Sequence, residues 1–394
     1  MYPVLTVSAR GARRIAAGHP WVFLNEVHGP LPDTAPGGLV NLAFEGGGQG
    51  GTAMYNPRSQ IVARRLDPNR NVNIDTAWLQ SRFARCLTLR QTWFPDPHYR
   101  LVHSEADGLP GLVVDRFGDA VTVQCNTAAM DRLAPEIATA LQNTLGVRTI
   151  VFRNDSPVRR LEGLDQHVRV EGDAVTRLVL QEHGASFEVD LCDGQKTGWF
   201  YDQRANRMLV AKVATGKSVA DFYTYAGGFA VQAARAGASG VLAVDRSEHS
   251  LGLARQSAER NGVAERCEFV QADATEEMGR RASAGQRFDV VIADPPAFAK
   301  QRKDVAQAAA AYRRMARSAA TLTAPGGWLF TASCSHHMPA ELFWQEVSVG
   351  IHQAGRTARA VWSGGADVDH PVHPFLPESA YLKGILWALD DSSP

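Results

Sequence analysis

The sequence predicts an α/β fold for the C-terminal half, preceded by an α+β region and a glycine-rich, strand-rich start. From about residue 191 onward, short apolar runs alternate with helical patterns, which indicates a largely parallel sheet with helices on both faces. The chain has 394 residues, more than the roughly 250 at which a single core stops growing. Two or three domains are therefore expected.

The C-terminal elements follow from apolar spacing and from cap residues. Ser247 is a predicted helix N-cap, and Gly262 stops the helix that Ser247 opens. The predicted helices span 228–236 and 247–261. The predicted strands are 219–223, 241–245, 267–271, 290–293 and the apolar run 326–334.

The two preceding regions read differently. Glu45 to Gly51, EGGGQGG, looks like a phosphate loop, but it lacks the Lys-Ser/Thr ending and favours a flexible hairpin. Beyond residue 73, Trp78, Leu79, Phe83 and Cys86 recur at helical spacing, which predicts that Cys86 is a core residue. A hairpin over 112–125 and a helix over 130–145 complete the α+β pattern.

Composition limits the class of protein. The net charge is zero, which disfavours a chain coated in positive charge but allows a local basic patch. The N-terminus has no apolar signal core, and no run approaches the ~18 apolar residues of a membrane span, so a cytoplasmic protein is expected. No CxxC pair occurs, which disfavours a disulfide framework or zinc ribbon, among the five cysteines Cys86, Cys125, Cys192, Cys267 and Cys334.

Four features follow predicted strands of the C-terminal sheet. They are the Gly227-Gly228 turn, Asp245, Asp273 and Asp294. Alone, such a glycine pair is ordinary turn chemistry and such an aspartate a helix cap, but ligands bind beyond the carboxyl ends of parallel strands. The glycines do not form GxGxxG, so the set favours a nucleoside ligand without a pyrophosphate, such as S-adenosylmethionine.

The motifs DFYTYAGGFA, FDVVIADPPAFAK and TASCSHHM resemble those of class I S-adenosylmethionine-dependent methyltransferases. More closely, the chain resembles the RlmI-like family of large-subunit rRNA cytosine-carbon-5 methyltransferases. GHPWVF near the start, SEADGLPGLVVDRFGD, DGQKTGWFYDQRANR and DHPVHPFLPESAYLKG extend this resemblance over nearly the whole chain. It implies a PUA-like RNA-binding β-barrel at 1–70, a middle α+β domain at 73–190 and a Rossmann-like methyltransferase domain at 191–394.

The resemblance also implies roles for individual residues. The turn Tyr225, Ala226, Gly227, Gly228 and Phe229 would hold the methionine end of S-adenosylmethionine. Asp245, followed by Arg246, would bind ribose, and Asp273 with Ala274 would lie near the adenine. Gln203 and Arg204 would help to close the cofactor site, and Asp294 with Pro295 would face both the methyl donor and the target base.

Cys334 lies between two serines and before His336 and His337. Alone it could be a metal ligand, a small buried residue or a nucleophile, although adjacent histidines seldom both face one metal ion. The family match favours the nucleophile, because a thiolate that adds to carbon 6 of cytosine activates carbon 5. Asp294 would then stabilise the adduct at ring nitrogen 3. The proton-removing base stays open between His336, His337 and a water held by Asp294.

Two groups of basic residues are candidate RNA contacts. A solvated face is the more common interpretation of the first group and an equally common one of the second. They are Arg10, Arg13 and Arg14 near the start, and Lys300, Arg302 and Lys303 after the Asp-Pro-Pro loop. The expected partner is 23S rRNA, naked or within a large-subunit precursor, and the resemblance suggests a homodimer. The alternatives are methylation of another rRNA position, such as a guanine ring nitrogen, and a catalytically inactive rRNA-binding protein.

Overall fold

The computed structural model describes residues 1–194 and 197–390. Gln195 and Lys196 of the DGQKTGWFYDQRANR segment lie outside the described residues, as do the last four residues of the 191–394 domain. The chain forms two compact units. The first comprises Met1–Thr176, Asp190–Trp199 and Val368–Ser379, and the second comprises Arg177–Val189, Phe200–Asp367 and Ala380–Pro394.

The first unit begins with a five-stranded sheet in the order β1-β3-β4-β5-β2, in which β1 runs parallel to β3. The predicted hairpin at Glu45–Gly51 is confirmed, because β3 pairs antiparallel with β4 across it. Leu5, Val40 and Val62 are fully buried in the core of this sheet. Its elements are β1 (Val4–Val7), α1 (Ala9–Ala17), β2 (Trp21–Phe23), β3 (Gly38–Phe44), β4 (Gln49–Tyr55) and β5 (Ile61–Asp67).

The same unit contains a second five-stranded sheet, ordered β10-β9-β8-β7-β6. Phe83 and Cys86 on α2 are buried against it, so the prediction that Cys86 belongs to the core is confirmed. The β7–β8 hairpin is confirmed as well. The elements are α2 (Thr76–Gln91), β6 (His98–His103), β7 (Leu112–Phe117), β8 (Ala120–Cys125), α3 (Ala128–Arg132), α4 (Ala134–Leu145), β9 (Thr149–Asn154) and β10 (His167–Gly172).

The second unit is built on a seven-stranded sheet ordered β15-β14-β13-β16-β17-β19-β18. The first five strands in this order are parallel, as predicted, and β19 runs antiparallel to both of its neighbours. A separate two-stranded sheet consists of β11 (Arg177–Glu182) and β12 (Ala185–Asp190). The helices are α5 (Arg204–Ala214), α6 (Gly228–Arg235), α7 (Glu248–Arg260), α8 (Ala274–Ser283), α9 (Val305–Leu322) and α10 (Ala340–Gln353). The sheet strands are β13 (Ser218–Phe222), β14 (Gly240–Asp245), β15 (Cys267–Gln271), β16 (Phe288–Ala293), β17 (Thr323–Ser333), β18 (Ala358–Gly364) and β19 (Lys383–Leu389).

The unit boundaries differ from the domain boundary predicted at residue 190/191. Residues Arg177–Val189 belong to the second unit, because Arg207 on α5 forms two 2.6 Å hydrogen bonds to the buried Glu182 carboxylate. Residues 368–379 belong to the first unit, where the Asp369 carboxylate accepts a hydrogen bond from the Arg100 amide at 2.9 Å. The Arg207–Glu182 and Arg100–Asp369 contacts join segments that are distant in sequence, so the order of the sequence does not predict them.

In the part of the chain that the structure describes, no helix is both long and apolar enough to cross a membrane.

Candidate active site

The turn after β13 lies where the strand order of the sheet reverses. The chain passes from β13 to β14 and β15 on one side, whereas β16 pairs with β13 on the other. Such a switch point opens a crevice at the carboxyl ends of the strands. The predicted turn residues lie here, and Tyr225 and Gly227 have left-handed φ values of 52° and 80°. The backbone is therefore strained at Tyr225, as happens where a loop is shaped for a ligand.

Asp245 at the end of β14 holds this turn in place. Its carboxylate accepts hydrogen bonds from the Tyr225 amide at 3.0 Å and from the Ser247 amide at 2.9 Å. Ser247 is also the N-cap of α7, as predicted, because its hydroxyl accepts from the Ser250 amide. Asp245 thus connects the turn after β13 to the start of α7. Arg246, between Asp245 and Ser247, is exposed.

Asp273 ends the loop after β15 and caps α8. Its exposed carboxylate accepts hydrogen bonds from the Thr275 and Glu276 amides at 2.9 and 3.1 Å. The next residue, Ala274, is buried. Asp273 therefore has the helix-capping role that an aspartate in this place commonly has, and its place near the adenine stays a prediction.

Asp221 is a buried carboxyl group that the sequence analysis did not assign to the site. Its side chain accepts hydrogen bonds from the Thr224 hydroxyl at 2.6 Å and the Ala230 amide at 3.1 Å. Burial raises the pKa of Asp221 to about 7. The Thr224 hydrogen bond opposes this rise, whereas the negative charges of Asp294 and Asp245 add to it. Three carboxyl groups are thus close enough to influence one another in the crevice.

The raised pKa predicts how stability depends on pH. Protonated Asp221 stabilises the folded state at low pH, and this contribution is lost as pH rises through the folded pKa of about 7. We expect the free energy of unfolding of the wild type, relative to Asp221→Asn, to fall by about 2 kcal/mol between about pH 5 and pH 8. Urea denaturation at several pH values measures this difference.

Asp289→Asn is the matched control for that experiment. Hydrogen bonds from the amide and hydroxyl of Ser218 lower the pKa of Asp289, so its stabilising contribution is lost only as pH falls into the acid range. The difference between the wild type and Asp289→Asn should stay flat from about pH 5 to pH 8. A flat response for Asp221→Asn as well would contradict the raised pKa.

Asp294 follows β16 and is held by a residue from the segment before α5. The Gln203 side-chain amide donates to the Asp294 carboxylate at 2.8 Å, and the Asn206 amide donates to the Gln203 oxygen at 2.5 Å. Gln203 therefore lies beside Asp294, and its role in closing the cofactor site stays a prediction. Arg204 is buried within 3.6 Å of Glu182 and 3.7 Å of Asp367. Because these carboxylates surround it, contact between Arg204 and the cofactor stays a prediction.

Cys334 follows β17 at the same sheet edge as Asp294. The parallel register pairs Ala293 with Thr331, so the strand ends that carry the two residues are neighbours. The Cys334 Sγ lies 4.0 Å from the carbonyl oxygen of Pro295, next to Asp294 in the Asp-Pro-Pro loop. Cys334 is half-buried. The thiol therefore lies against the backbone of the loop that carries Asp294.

A buried hydroxyl network supports Cys334 from behind. The Ser333 hydroxyl donates to the Tyr312 hydroxyl at 2.7 Å, and Tyr312 in turn shares a 2.9 Å hydrogen bond with the Ser335 hydroxyl. Ser335 also accepts from the Ala299 amide at 3.3 Å, beyond the Asp-Pro-Pro loop. The two residues that flank Cys334 are thus fixed, and the sequence analysis named neither of them as part of the site.

The two histidines after Cys334 are both exposed. His336 stacks on Tyr381, with ring centroids 4.8 Å apart. Within residues 1–194 and 197–390, no group of three or more His, Cys, Asp or Glu side chains is arranged to bind a metal ion.

Comparison with known proteins identifies the family. A PUA-like domain model matches residues 5–68, and a model of S-adenosylmethionine-dependent methyltransferases matches residues 130–351. The chain is 33% identical to ribosomal RNA large subunit methyltransferase I of Klebsiella pneumoniae (strain 342) over 391 residues, which is 98% of each chain. The chain belongs to this methyltransferase family. The protein of the same name from Cronobacter sakazakii is also 33% identical, over 97% of this chain and 98% of its own.

Solved structures agree with this methyltransferase fold. A protein described as an S-adenosylmethionine-dependent methyltransferase from Streptococcus mutans is 20% identical, with a TM-score of 0.81 over 98% of this chain and 100% of its own. SMU.776, described as a methyltransferase complexed with SAH, is 21% identical, with a TM-score of 0.83 over the same shares of the two chains. The predicted fold class, with its PUA-like and Rossmann-like parts, is confirmed.

The methyltransferase family uses S-adenosylmethionine, and the side chains of the crevice suit this cofactor. Asp245 ends a parallel strand, Asp273 and Asp294 follow such strands, and Asp221 is the last residue but one of β13. A pyrophosphate would be repelled by these carboxylates, whereas ribose hydroxyls, an ammonium group and a sulfonium cation complement them. Asp245 would hold the ribose and the turn around Tyr225 the methionine end. When bound, the cofactor supplies the methyl group.

Gly227→Ala should damage the turn after β13, which is predicted to hold the cofactor. Gly227 has a left-handed φ, and an added Cβ would lie 2.9 Å from the Ala254 Cβ. We expect a loss of about 2 kcal/mol in the free energy of unfolding and at least about tenfold weaker cofactor binding. Calorimetric titration with S-adenosylhomocysteine measures the binding.

Gly262→Ala is the control for Gly227→Ala. Gly262 is also left-handed, but an added Cβ would meet nothing within 4 Å. We expect Gly262→Ala to cost about 1 kcal/mol and to leave cofactor binding unchanged. Equal effects of the two substitutions on cofactor binding would rule out a special role for Gly227.

The predicted RNA-binding residues differ in their surroundings. Arg10 and Arg13 on α1 are exposed. Arg14 forms an ion pair with Glu26, and its guanidinium lies 4.9 Å from the ring centroid of Phe23. Arg14 therefore has a structural function within its own sheet, and its availability for RNA is lower than the sequence suggested. The predicted basic residues after the Asp-Pro-Pro loop are all exposed, namely Lys300, Arg302 and Lys303.

Proposed function

We propose that this protein transfers a methyl group from S-adenosylmethionine to carbon 5 of a cytosine in 23S rRNA through a covalent Cys334 adduct. The observation that carries the proposal is the 4.0 Å approach of the Cys334 Sγ to the Pro295 carbonyl in the Asp294 loop. A nucleophile and a carboxyl group on neighbouring strand ends are what this reaction needs. The relatives named ribosomal RNA large subunit methyltransferase I support rRNA as the substrate.

The proposed reaction begins on an accessible cytosine, because a paired and stacked base hides carbon 6. The Cys334 thiolate forms a bond to carbon 6, and the electron pair of the 5,6 double bond makes carbon 5 nucleophilic. Carbon 5 then takes the methyl group, and S-adenosylhomocysteine, which keeps the electron pair of the broken sulfur–methyl bond, would be released. Asp294 donates a hydrogen bond to ring nitrogen 3 and stabilises the negative charge that develops there. Gln203 orients Asp294 through its 2.8 Å hydrogen bond.

The second half of the reaction removes the carbon-5 proton and breaks the bond between sulfur and carbon 6. The electrons of the carbon–hydrogen bond re-form the 5,6 double bond as the thiolate leaves. His336, His337 and a water molecule held by Asp294 are the candidates for the base. Because His336 is exposed and stacks on Tyr381, its ring can exchange the abstracted proton with solvent.

The exposed basic residues are proposed to position the RNA. Lys300, Arg302 and Lys303 follow the Asp-Pro-Pro loop and would contact phosphates near the target base, whereas Arg10 and Arg13 would contact phosphates through the PUA-like domain. Such contacts hold the substrate without reading its sequence. The proposed substrate is 23S rRNA, either naked or in a large-subunit precursor. The formation of a homodimer also stays a prediction.

Methyl transfer from labelled S-adenosylmethionine to 23S rRNA tests the proposal. The product is digested to nucleosides and identified by mass spectrometry, with both naked rRNA and large-subunit precursors as substrates. We expect 5-methylcytidine at a single site. Label in a methylated guanine, or no transfer to either substrate by protein that binds the cofactor, would overturn the proposal.

A further inference from the structure

Lys383 begins β19 and lies beside Cys334, although the proposed reaction has given it no role. The antiparallel register of β17 and β19 pairs Lys383 with Ser333, one residue before Cys334. The Lys383 ammonium donates hydrogen bonds to the carbonyl oxygens of Ser335 at 2.6 Å and Tyr381 at 2.8 Å. Two backbone carbonyls thus fix a cation against the segment that carries the thiol.

The charge of this ammonium has no carboxylate partner among the residues that the structure describes. Among residues 1–194 and 197–390, no Asp or Glu oxygen lies within 4.0 Å of the Lys383 Nζ. Burial lowers the pKa of Lys383 to about 8, and the charge of Cys334 acts in the opposite direction. Because the interaction is reciprocal, an ammonium that a thiolate stabilises lowers the pKa of that thiol.

Other groups around the thiol act in different ways. Burial raises the pKa of Tyr312 to about 12, so its hydroxyl stays neutral at physiological pH. Asp294, on the neighbouring strand end, would oppose ionisation of the thiol only in its ionised form, whereas the proposed reaction uses its protonated form. His336 and His337 are exposed. In the described structure, the contacts of Lys383 with Ser333 and Ser335 place its positive charge at the Cys334 segment.

The remaining cysteines have surroundings that keep their thiols protonated. Burial raises the pKa of Cys86 and of Cys125 to about 12, and that of Cys267 to about 11. Burial also raises the pKa of Cys192. None of these thiols has a lysine within hydrogen-bonding reach among the described residues. They provide internal references for the reactivity of Cys334.

We propose that Lys383 is a positioning residue that increases the fraction of Cys334 present as thiolate before substrate binds. The fixed ammonium stabilises the negative sulfur, and the thiol proton passes to solvent. A nucleophile near a lysine gains the fraction of thiolate that addition to carbon 6 requires. This inference rests on the proposed role of Cys334 as the nucleophile, but the state of the thiol can be measured without RNA or cofactor.

The test is the pH dependence of Cys334 alkylation by iodoacetamide in the full-length protein. Mass spectrometry of the peptide that contains Cys334 gives the rate, and the Cys192 peptide serves as the internal reference. An ordinary thiol has a pKa of about 8.5. We expect the wild-type alkylation rate to reach half its maximum at a pH below this value. Lys383→Met should raise this midpoint by about one unit, so that alkylation near pH 7 slows about tenfold.

Lys383→Arg is the matched variant, because it keeps a fixed positive charge. It should keep the wild-type midpoint, and all variants should alkylate Cys192 at the same rate. An identical midpoint in Lys383→Met and the wild type would overturn the inference. If Lys383→Met does not fold, Lys383→Gln replaces it, with cofactor binding as the check of folding. The alkylation midpoint could be low and depend on Lys383 while the methylated product is a guanine. That result would reject the proposed function but keep the inferred interaction between Lys383 and the Cys334 thiolate.

Discussion

Cys334→Ala is expected to reduce methylation of cytosine carbon 5 by at least about a thousandfold. Without a thiolate at carbon 6, carbon 5 stays too weak a nucleophile to take the methyl group. Cofactor binding should stay unchanged, because Asp245 and the Tyr225 turn do not contact the Cys334 segment through any described hydrogen bond. Single-turnover transfer with labelled S-adenosylmethionine measures the rate, and titration with S-adenosylhomocysteine measures the binding.

The covalent adduct provides a second readout of the same prediction. RNA with 5-fluorocytosine at the target should remain bound to the wild type, because fluorine cannot leave carbon 5 as a proton does. The complex should survive denaturation and should disappear in Cys334→Ala. Cys192→Ala, which removes a thiol from the first compact unit, should still form the adduct. An adduct in Cys334→Ala, or its absence in active wild type, would refute covalent catalysis by Cys334.

Asp294→Asn is expected to reduce methyl transfer by about a hundredfold or more. The asparagine oxygen can still accept the 2.8 Å hydrogen bond from Gln203, so the loop should keep its conformation. The proton-donating ability of the carboxyl group toward ring nitrogen 3 is lost, which leaves the adduct less stabilised. The effect is measured as kcat/KM of the variant divided by kcat/KM of the wild type. The RNA concentration is varied and the cofactor is kept saturating.

Asp289→Asn is the control for Asp294→Asn. Asp289 lies on the same strand, β16, but near its amino end, where its carboxylate accepts from the amide and hydroxyl of Ser218 at 2.8 Å. Its substitution should lower stability modestly and leave kcat/KM within about twofold of the wild type. Retention of full activity by Asp294→Asn would mean that another group stabilises ring nitrogen 3.

Features that depend on local sequence were predictable. The N-cap at Ser247 and the strand Cys267–Gln271 follow from residue types that act over a few positions, and both are present. The proximity of Asp294 and Cys334 was also predictable, because parallel strands of one sheet end at one edge. Here a simple topological rule converts positions far apart in sequence into neighbours.

Features that depend on pairing between distant segments were not predictable. Lys383 lies beside Cys334 only because β19 inserts antiparallel between β17 and β18, an arrangement that periodicity does not reveal. The exchange of segments between the two units has the same origin, since Glu182 is held by Arg207 through their side chains. Asp221 was within a recognised motif, but only the three-dimensional structure shows that its carboxyl group is buried.

The Ser335 hydroxyl has a consequence for protein engineering. It accepts a hydrogen bond from the Ala299 amide and shares another with Tyr312, so one oxygen atom joins the loop of Asp294 to the segment of Cys334. Grafting only the thiol and the carboxyl group onto another methyltransferase scaffold would transfer two reactive groups without the hydrogen bonds that hold their segments together. The smallest transferable unit is therefore the loop from Asp294 to Ala299 together with Tyr312, Cys334 and Ser335.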